Sequence, residues 1–166
     1  CEACAEGSYQ GSKGATACID CGPGFTCPPG SVVRIPASCS EGTFLDNTTD
    51  ECVGCPAGSY CAGGGAQPRL CGKGSYCPAD SAAAKLCPAG RYGKVTGLVD
   101  AACSGECDPG YYCEDGSMSA KSVPCEAGRY SSETGQASAA NCQPCGVGNY
   151  CFAGSPLPTP CGKGTA

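Results

Sequence analysis

The sequence predicts a small disulfide-rich fold: an elongated tandem array of short β-hairpins and turns with almost no helix. Three observations predict it. They are a very high cysteine density, a shortage of large apolar side chains, and a short motif that recurs from end to end. Twenty cysteines in 166 residues is well past the level that marks a disulfide scaffold. The hydrophobic fraction of 41% is inflated, because 20 of those 68 residues are Cys and 22 are Ala. Val, Ile and Leu together number 14, beside three Phe, eight Tyr, one Met and no Trp. So few large side chains cannot offset a backbone ordering cost of roughly 1–2 kcal/mol per residue. Cross-links must make up the difference, each closed loop contributing about 2–4 kcal/mol, chiefly by restricting the unfolded chain.

The motif is Cys, two residues, Gly, one residue, then usually an aromatic. It reads Cys4-Ala5-Glu6-Gly7-Ser8-Tyr9, Cys39-Ser40-Glu41-Gly42-Thr43-Phe44 and Cys55-Pro56-Ala57-Gly58-Ser59-Tyr60. It returns at Cys71, Cys87, Cys107, Cys125 and Cys145, with Phe25 one place early in the copy at Cys21, and it starts again at Cys161. The ten starts lie 16 to 20 residues apart. That period reads as a quasi-one-dimensional array in which each repeat packs only on its neighbours. Residues 1–166 are therefore expected to form one continuous array of about ten repeats, part of a longer chain. Pro at the second and Gly at the fourth place of Cys55-Pro56-Ala57-Gly58 suggest a type I turn. The aromatic supplies the one large apolar group of each repeat, and seven of the eight Tyr fall in this register. Tyr111 and Phe152 fall outside it and are expected to be the exposed aromatics. Gly and Pro density excludes helix nearly everywhere, Ser81 to Leu86 being the one candidate helical turn, and the segments between motifs, such as Ser31 to Ile35, read as loops or at most strands of two-residue period.

Two kinds of repeat alternate, and they limit how the cysteines pair. In the longer kind a second Cys follows a polar segment; in the shorter it follows the aromatic directly. Closing each long repeat on itself gives Cys4–Cys18, Cys39–Cys52, Cys87–Cys103 and Cys125–Cys142. Local pairing then forces Cys21–Cys27 and Cys107–Cys113, and Cys1 and Cys161 are left over. A frame shifted by one cysteine leaves no orphan, running Cys1–Cys4, Cys18–Cys21, Cys27–Cys39 and onward to Cys151–Cys161. It needs bridges across Cys-x-x-Cys, rings more typical of redox motifs than of staples. The first frame is preferred, and spacing alone leaves both open.

The copies such as Cys55-Pro56-Ala57-Gly58-Ser59-Tyr60-Cys61 and Cys87-Pro88-Ala89-Gly90-Arg91-Tyr92 resemble the ephrin-receptor-like cysteine-rich repeat, which is similar in style to tumour-necrosis-factor-receptor cysteine-rich domains. The resemblance runs through essentially the whole chain. It implies short-stranded, rod-like extracellular modules with locally paired cysteines, of a kind that occurs in long arrays in surface, wall and flagellar-hair proteins. The copies here are uninterrupted by any other module, which favours a structural array over a signalling receptor.

Chemistry at a catalytic site is not expected. There is no His, and the acids are scattered through loops, so nothing offers a poised acid or base. Cys1, Cys4, Cys18 and Cys21 have zinc-site spacing, but later cysteines break it, and neither a metal nor a cofactor is expected. Asp46, Asn47, Asp50 and Glu51 do not match an EF-hand loop. Gly63-Gly64-Gly65 lacks the Lys and helix of a phosphate loop and reads as a turn. Disulfides require an oxidising compartment, so the location is extracellular or at the cell surface. The sequon Asn47-Thr48-Thr49 marks an N-glycosylation candidate, and Ser155 and Thr159 in a proline-rich stretch are candidates for O-linked sugar. A net charge of −5 argues against nucleic acid, and no apolar run is long enough to span a bilayer.

The expected function is structural, as part of an extracellular rod or filament such as a flagellar hair, wall or matrix fibre, with self-association or other matrix and surface proteins as partners. The second reading is a receptor ectodomain or adhesin that binds a protein or glycan. For it the segment from Cys103 to Cys125 is the best candidate, with Tyr111 and Asp115 as binding residues beside Glu106, Asp108, Glu114 and Met118. A toxin or protease inhibitor fits poorly, since such proteins usually use one compact module.

Overall fold

The motif glycine decides how each repeat begins. In the computed structural model, which describes residues 3–12, 16–22, 24–36, 38–49, 51–64, 66–162 and 164, this glycine has a left-handed backbone, φ +83° at Gly58 for example. The turn it shapes lies one residue later than a type I turn on Cys-x-x-Gly would. The closing bonds run from Ser8 N–H to the Ala5 carbonyl, Thr43 to Ser40, Ser75 to Gly72, Arg91 to Pro88 and Tyr111 to Asp108. The glycine is thus the third residue of the turn, where type II geometry requires φ above zero. The hydroxyl that often follows it reinforces the turn, as when Ser75 Oγ donates to the Gly72 carbonyl at 2.7 Å.

Each turn launches a hairpin. β1 (Ser8–Tyr9) pairs with β2 (Ile19–Asp20), β3 (Phe25–Thr26) with β4 (Ile35–Pro36), and β5 (Thr43–Asp46) with β6 (Glu51–Gly54). β7 (Ser59–Tyr60) pairs with β8 (Arg69–Leu70), β9 (Ser75–Tyr76) with β10 (Lys85–Leu86), and β11 (Arg91–Tyr92) with β12 (Gly105–Glu106). β13 (Tyr111–Tyr112), β15 (Arg129–Tyr130) and β17 (Asn149–Tyr150) pair with β14 (Val123–Pro124), β16 (Gln143–Pro144) and β18 (Thr159–Pro160). The longest pairing among the described residues is that of β5 with β6, four residues on each strand, where Asp46 faces Glu51 and Thr43 faces Gly54.

The disulfides follow the hairpins. In the long repeats the motif Cys is bonded to the Cys at the second strand: Cys4–Cys18, Cys39–Cys52, Cys87–Cys103 and Cys125–Cys142. In the short repeats the bond spans the first strand: Cys21–Cys27, Cys55–Cys61, Cys71–Cys77, Cys107–Cys113 and Cys145–Cys151. Their Cα–Cα separations run from 5.6 to 6.2 Å, within the ordinary range for a disulfide. Among the described residues Cys161 is the free cysteine, and it is exposed; Cys1 lies outside them.

Backbone hydrogen bonds carry the chain from one repeat to the next. At Cys21, Cys55, Cys71, Cys87, Cys107, Cys125, Cys145 and Cys161 the N–H donates to the glycine carbonyl of the preceding motif, as in Cys55 to Gly42, Cys71 to Gly58 and Cys107 to Gly90. The glycine N–H points forward, from Gly58 to the Cys77 carbonyl and from Gly90 to that of Cys113. A third bond returns from a residue nine or ten places after a motif Cys to the previous motif Cys: Gly64 to Cys39, Asp80 to Cys55, Gly97 to Cys71, Gly116 to Cys87, Gly135 to Cys107 and Gly154 to Cys125. These bonds satisfy main-chain groups that strands of two residues leave unpaired.

Packing reaches one repeat further than nearest neighbours. A Cβ added to Gly58 would stand 2.6 Å from the carbonyl oxygen of Gly97, which belongs to the second repeat along. Leu70 reaches the same Gly97 and Leu86 reaches Gly116, again two repeats on. The expectation of strictly adjacent packing is corrected by these contacts, and the reason is steric: with no side chain on the glycine, the backbone of a non-adjacent repeat can approach.

The interior this makes consists of sulfur and hydroxyl. Every buried apolar residue among those described is a cysteine, and the buried polar residues are Ser59, Ser75, Ser81, Ser117 and Ser131. The tyrosines of the motif are mostly half-buried. Tyr150 departs from that register at 43% exposure, while Leu70, Leu86 and Leu157 are exposed. One further expectation is corrected. Ser81 to Leu86 forms a bend and then β10, and the one helical segment among the described residues is a 3-10 turn at Ala139–Asn141. Ser31 to Ile35 bends at Val32 and Val33, with strand only at β4. Gly, Pro and Ser at close intervals terminate both segments before either pattern can propagate.

The chain divides into two compact bodies. One comprises Cys1–Pro56, Tyr60–Arg69 and Asp80–Ala83; the other comprises Ala57–Ser59, Leu70–Ala79 and Ala84–Ala166. Both are built from the same hairpins and stapled by their own disulfides.

Candidate interaction surface

Of the residues singled out in the sequence, those between Cys103 and Cys125 are held mainly by the array itself. Asp115 Oδ1 accepts the Ala89 N–H at 2.7 Å, across to the preceding repeat. Glu106 faces Arg91, with Nη2 to Oε1 at 3.4 Å, and its Oε2 accepts the Thr134 hydroxyl at 2.6 Å. Tyr111 is half-buried, contrary to its expected exposure. Its ring stands against Gly154, two repeats on, and the Lys121 ammonium lies 5.8 Å from the ring centroid. The missing side chain at residue 154 is what lets the ring in. Met118 is exposed at 59%, and its Cγ approaches Gly74. The structure therefore brings Tyr111 and Asp115 into contacts between repeats and leaves their outer edges to solvent.

Phe152 is exposed, and its ring meets that of Tyr150 edge to face at 5.3 Å between centroids. Val147 and Leu157 are exposed in the same hairpin region. A shallow cleft of about 330 Å³ is lined by Tyr112, Glu126, Arg129, Ala139, Ala140 and Cys142. Arg129 is fixed there by donating from Nη1 to the Cys142 carbonyl at 2.7 Å. The cleft brings one cation, one anion and one aromatic together. Such a surface can bind, and it holds no nucleophile paired with a base.

The remaining candidates are placed as follows. Cys4, Cys18 and Cys21 are taken up in disulfides, and the described residues contain no cluster of metal-ligating side chains. Asn47, Thr48 and Thr49 form the exposed tip between β5 and β6. The Thr48 N–H donates to Asp46 Oδ1 at 2.8 Å, and that backbone bond is the main reason the Asp46 carboxyl lies below its ordinary value. Asp50 is outside the described residues. Ser155 is half-buried, its carbonyl accepting the Ser131 N–H, whereas Thr159 lies exposed on β18.

One functional feature is absent from the reading of the sequence: the second left-handed turn in each short repeat. Its signal is present as Cys-x-x-Gly-Ser or Cys-x-x-Asp-Ser in Cys27-Pro28-Pro29-Gly30-Ser31, Cys77-Pro78-Ala79-Asp80-Ser81, Cys113-Glu114-Asp115-Gly116-Ser117 and Cys151-Phe152-Ala153-Gly154-Ser155. Asp80 holds φ +59° where the other three copies have Gly.

Comparison with known proteins agrees with this chemistry over part of the chain. No family model matches. The human signal peptide, CUB and EGF-like domain-containing protein 2 is 34% identical over 65 residues, covering 36% of this chain and 6% of that protein. The same protein of Mus musculus is 36% identical over 67 residues, and that of Danio rerio 35% over 65, with the same coverage. This is an extracellular, cysteine-rich repeat chain. It spans a small fraction of the length of the curated relatives it matches. The ephrin-receptor-like likeness of the motif rests on its residues alone. No helix among the described residues is long and apolar enough to cross a membrane.

Proposed function

We propose that this chain is one continuous array serving as a structural segment of an extracellular rod or filament. The observation that supports this most is the relay of main-chain bonds, in which motif cysteines and glycines are tied to the repeats before and after them. Main-chain bonding of this kind does not depend on particular side chains, so the repeats can be extended without redesign. Local disulfides add resistance to pulling, because each loop is closed within its own repeat. Self-association or attachment to other matrix and surface proteins would occur through the exposed apolar and aromatic side chains, Phe152 and Tyr150 among them.

The test is electron microscopy of the parent protein in its native setting, together with solution scattering of the purified chain. The rod reading expects filaments carrying the protein and a maximum dimension that grows in proportion to the number of repeats. A free, soluble, monomeric parent protein with a compact envelope contradicts it. The second reading, a binding segment of a larger secreted or surface protein, is favoured by the short matches to secreted multidomain proteins. Under it, Arg129→Ala and Tyr112→Ala at the cleft abolish partner capture while leaving the disulfides intact.

A further inference from the structure

We propose that Asn47 carries an N-linked glycan and that the repeat beginning at Cys39 is built to present it. This modification depends on the extracellular location and not on the rod reading. In most repeats the segment nine or ten residues after the motif Cys folds back, donating its N–H to the preceding motif Cys. Gly64, Asp80, Gly97, Gly116, Gly135 and Gly154 all do so. In the Cys39 repeat that place is taken by Thr48, the middle residue of the sequon, and its N–H goes to the Asp46 carboxylate of its own hairpin. The strands beneath it are four residues long, against two in the other hairpins described. They add the pair Asp46 and Glu51 beyond the cross-linked Cys52, and Asn47, Thr48 and Thr49 are all exposed. The sequon therefore sits where the tip closes on itself and not on the preceding repeat.

The middle residue is not Pro, as the acceptor motif requires. The co-reactant is an oligosaccharide joined through diphosphate to a lipid carrier in the secretory pathway. Asn47 Nδ2 forms a bond to the anomeric carbon as the bond from that carbon to the diphosphate oxygen breaks. The lipid diphosphate leaves with that electron pair, and the amide nitrogen gives up one proton. The product is a neutral, bulky and strongly hydrated surface group.

The experiment is secretion of the full chain from a eukaryotic host, followed by peptide-N-glycosidase treatment of the denatured protein and peptide mapping. The expected result is a mobility increase on treatment, with the Asn47 peptide recovered as the Asp form. Asn47→Gln and Thr49→Ala abolish the shift completely, while Thr49→Ser retains it. Secreted, disulfide-bonded protein whose Asn47 peptide is unmodified overturns the proposal. Should Asn47→Gln fail to be secreted, the peptide map of the natural chain and the Thr49→Ala and Thr49→Ser pair still decide it.

Discussion

Gly58 and Gly128 occupy the same place in their motifs and have nearly the same backbone, φ +83° and +84°. They differ in surroundings: a Cβ on Gly58 would meet the Gly97 backbone, whereas a Cβ on Gly128 would meet nothing within 4 Å. Gly128→Ala should therefore cost about 1–2 kcal/mol, the ordinary penalty of a left-handed residue. Gly58→Ala should cost that and about 1–3 kcal/mol more for forcing two repeats apart. Denaturant unfolding of oxidised protein, followed by circular dichroism, measures both. Equal losses would show that contact with the second repeat along carries no energy. Asp80 offers the complementary case, since Asp tolerates a left-handed backbone far better than a β-branched residue. Asp80→Gly should be tolerated, while Asp80→Val should lower stability by about 1–2 kcal/mol in the same assay. The first glycine was legible in the sequence because it sits at an invariant distance from Cys. The second was not, because long repeats displace it and Asp80 disguises it. Its place becomes plain only when the bond to the preceding motif Cys is seen.

Hairpin length and cross-link length set behaviour at the scale of the element. The bridges of the long repeats close 13 to 17 residues, and those of the short repeats close six. Loop-closure entropy then assigns about 3 kcal/mol to Cys125–Cys142 and about 2 kcal/mol to Cys107–Cys113. Replacing each pair by Ala should order the losses that way in thermal unfolding of the variants. The hairpin β5–β6 adds a pH dependence at its tip. The folded Asp46 pKa is depressed, so its bond to Thr48 contributes fully above the unfolded value near 3.8. That contribution is lost as pH falls through the lower folded value. Carboxyl and amide resonances of Asp46 and Thr48, followed together by NMR, should titrate below the range of a free Asp; titration at the free value would exclude the bond. Hairpins were legible from Gly, Pro and the aromatic register, but their brevity was not. Nothing in the pattern of Ser31 to Ile35 announces that Pro36 and the flanking bends confine pairing to two residues. Tyr111 was misread as exposed because its cover, Gly154, lies 43 residues away, and single-sequence spacing carries no record of a contact two repeats along.

At the scale of the molecule, the composition already dictated a chain held by sulfur and main-chain bonds. The deficit of large apolar residues leaves those of cysteine and serine as the only side chains buried among the described residues. A binding surface was much less legible. Tyr112, Glu126 and Arg129 come from two repeats and converge only through the hairpin β15–β16 and the 3-10 turn beside it. Such a cleft has no motif. Every repeat closes on itself and meets its neighbours through backbone, and the disulfide map is the sharpest test of this. Native protein should be alkylated under non-reducing, chelating conditions, digested and read by mass. Nine cross-linked pairs are expected, each within one repeat, from Cys4–Cys18 through Cys145–Cys151. Bridges joining Cys18 to Cys21 or Cys52 to Cys55, or free thiols with zinc released, would contradict it.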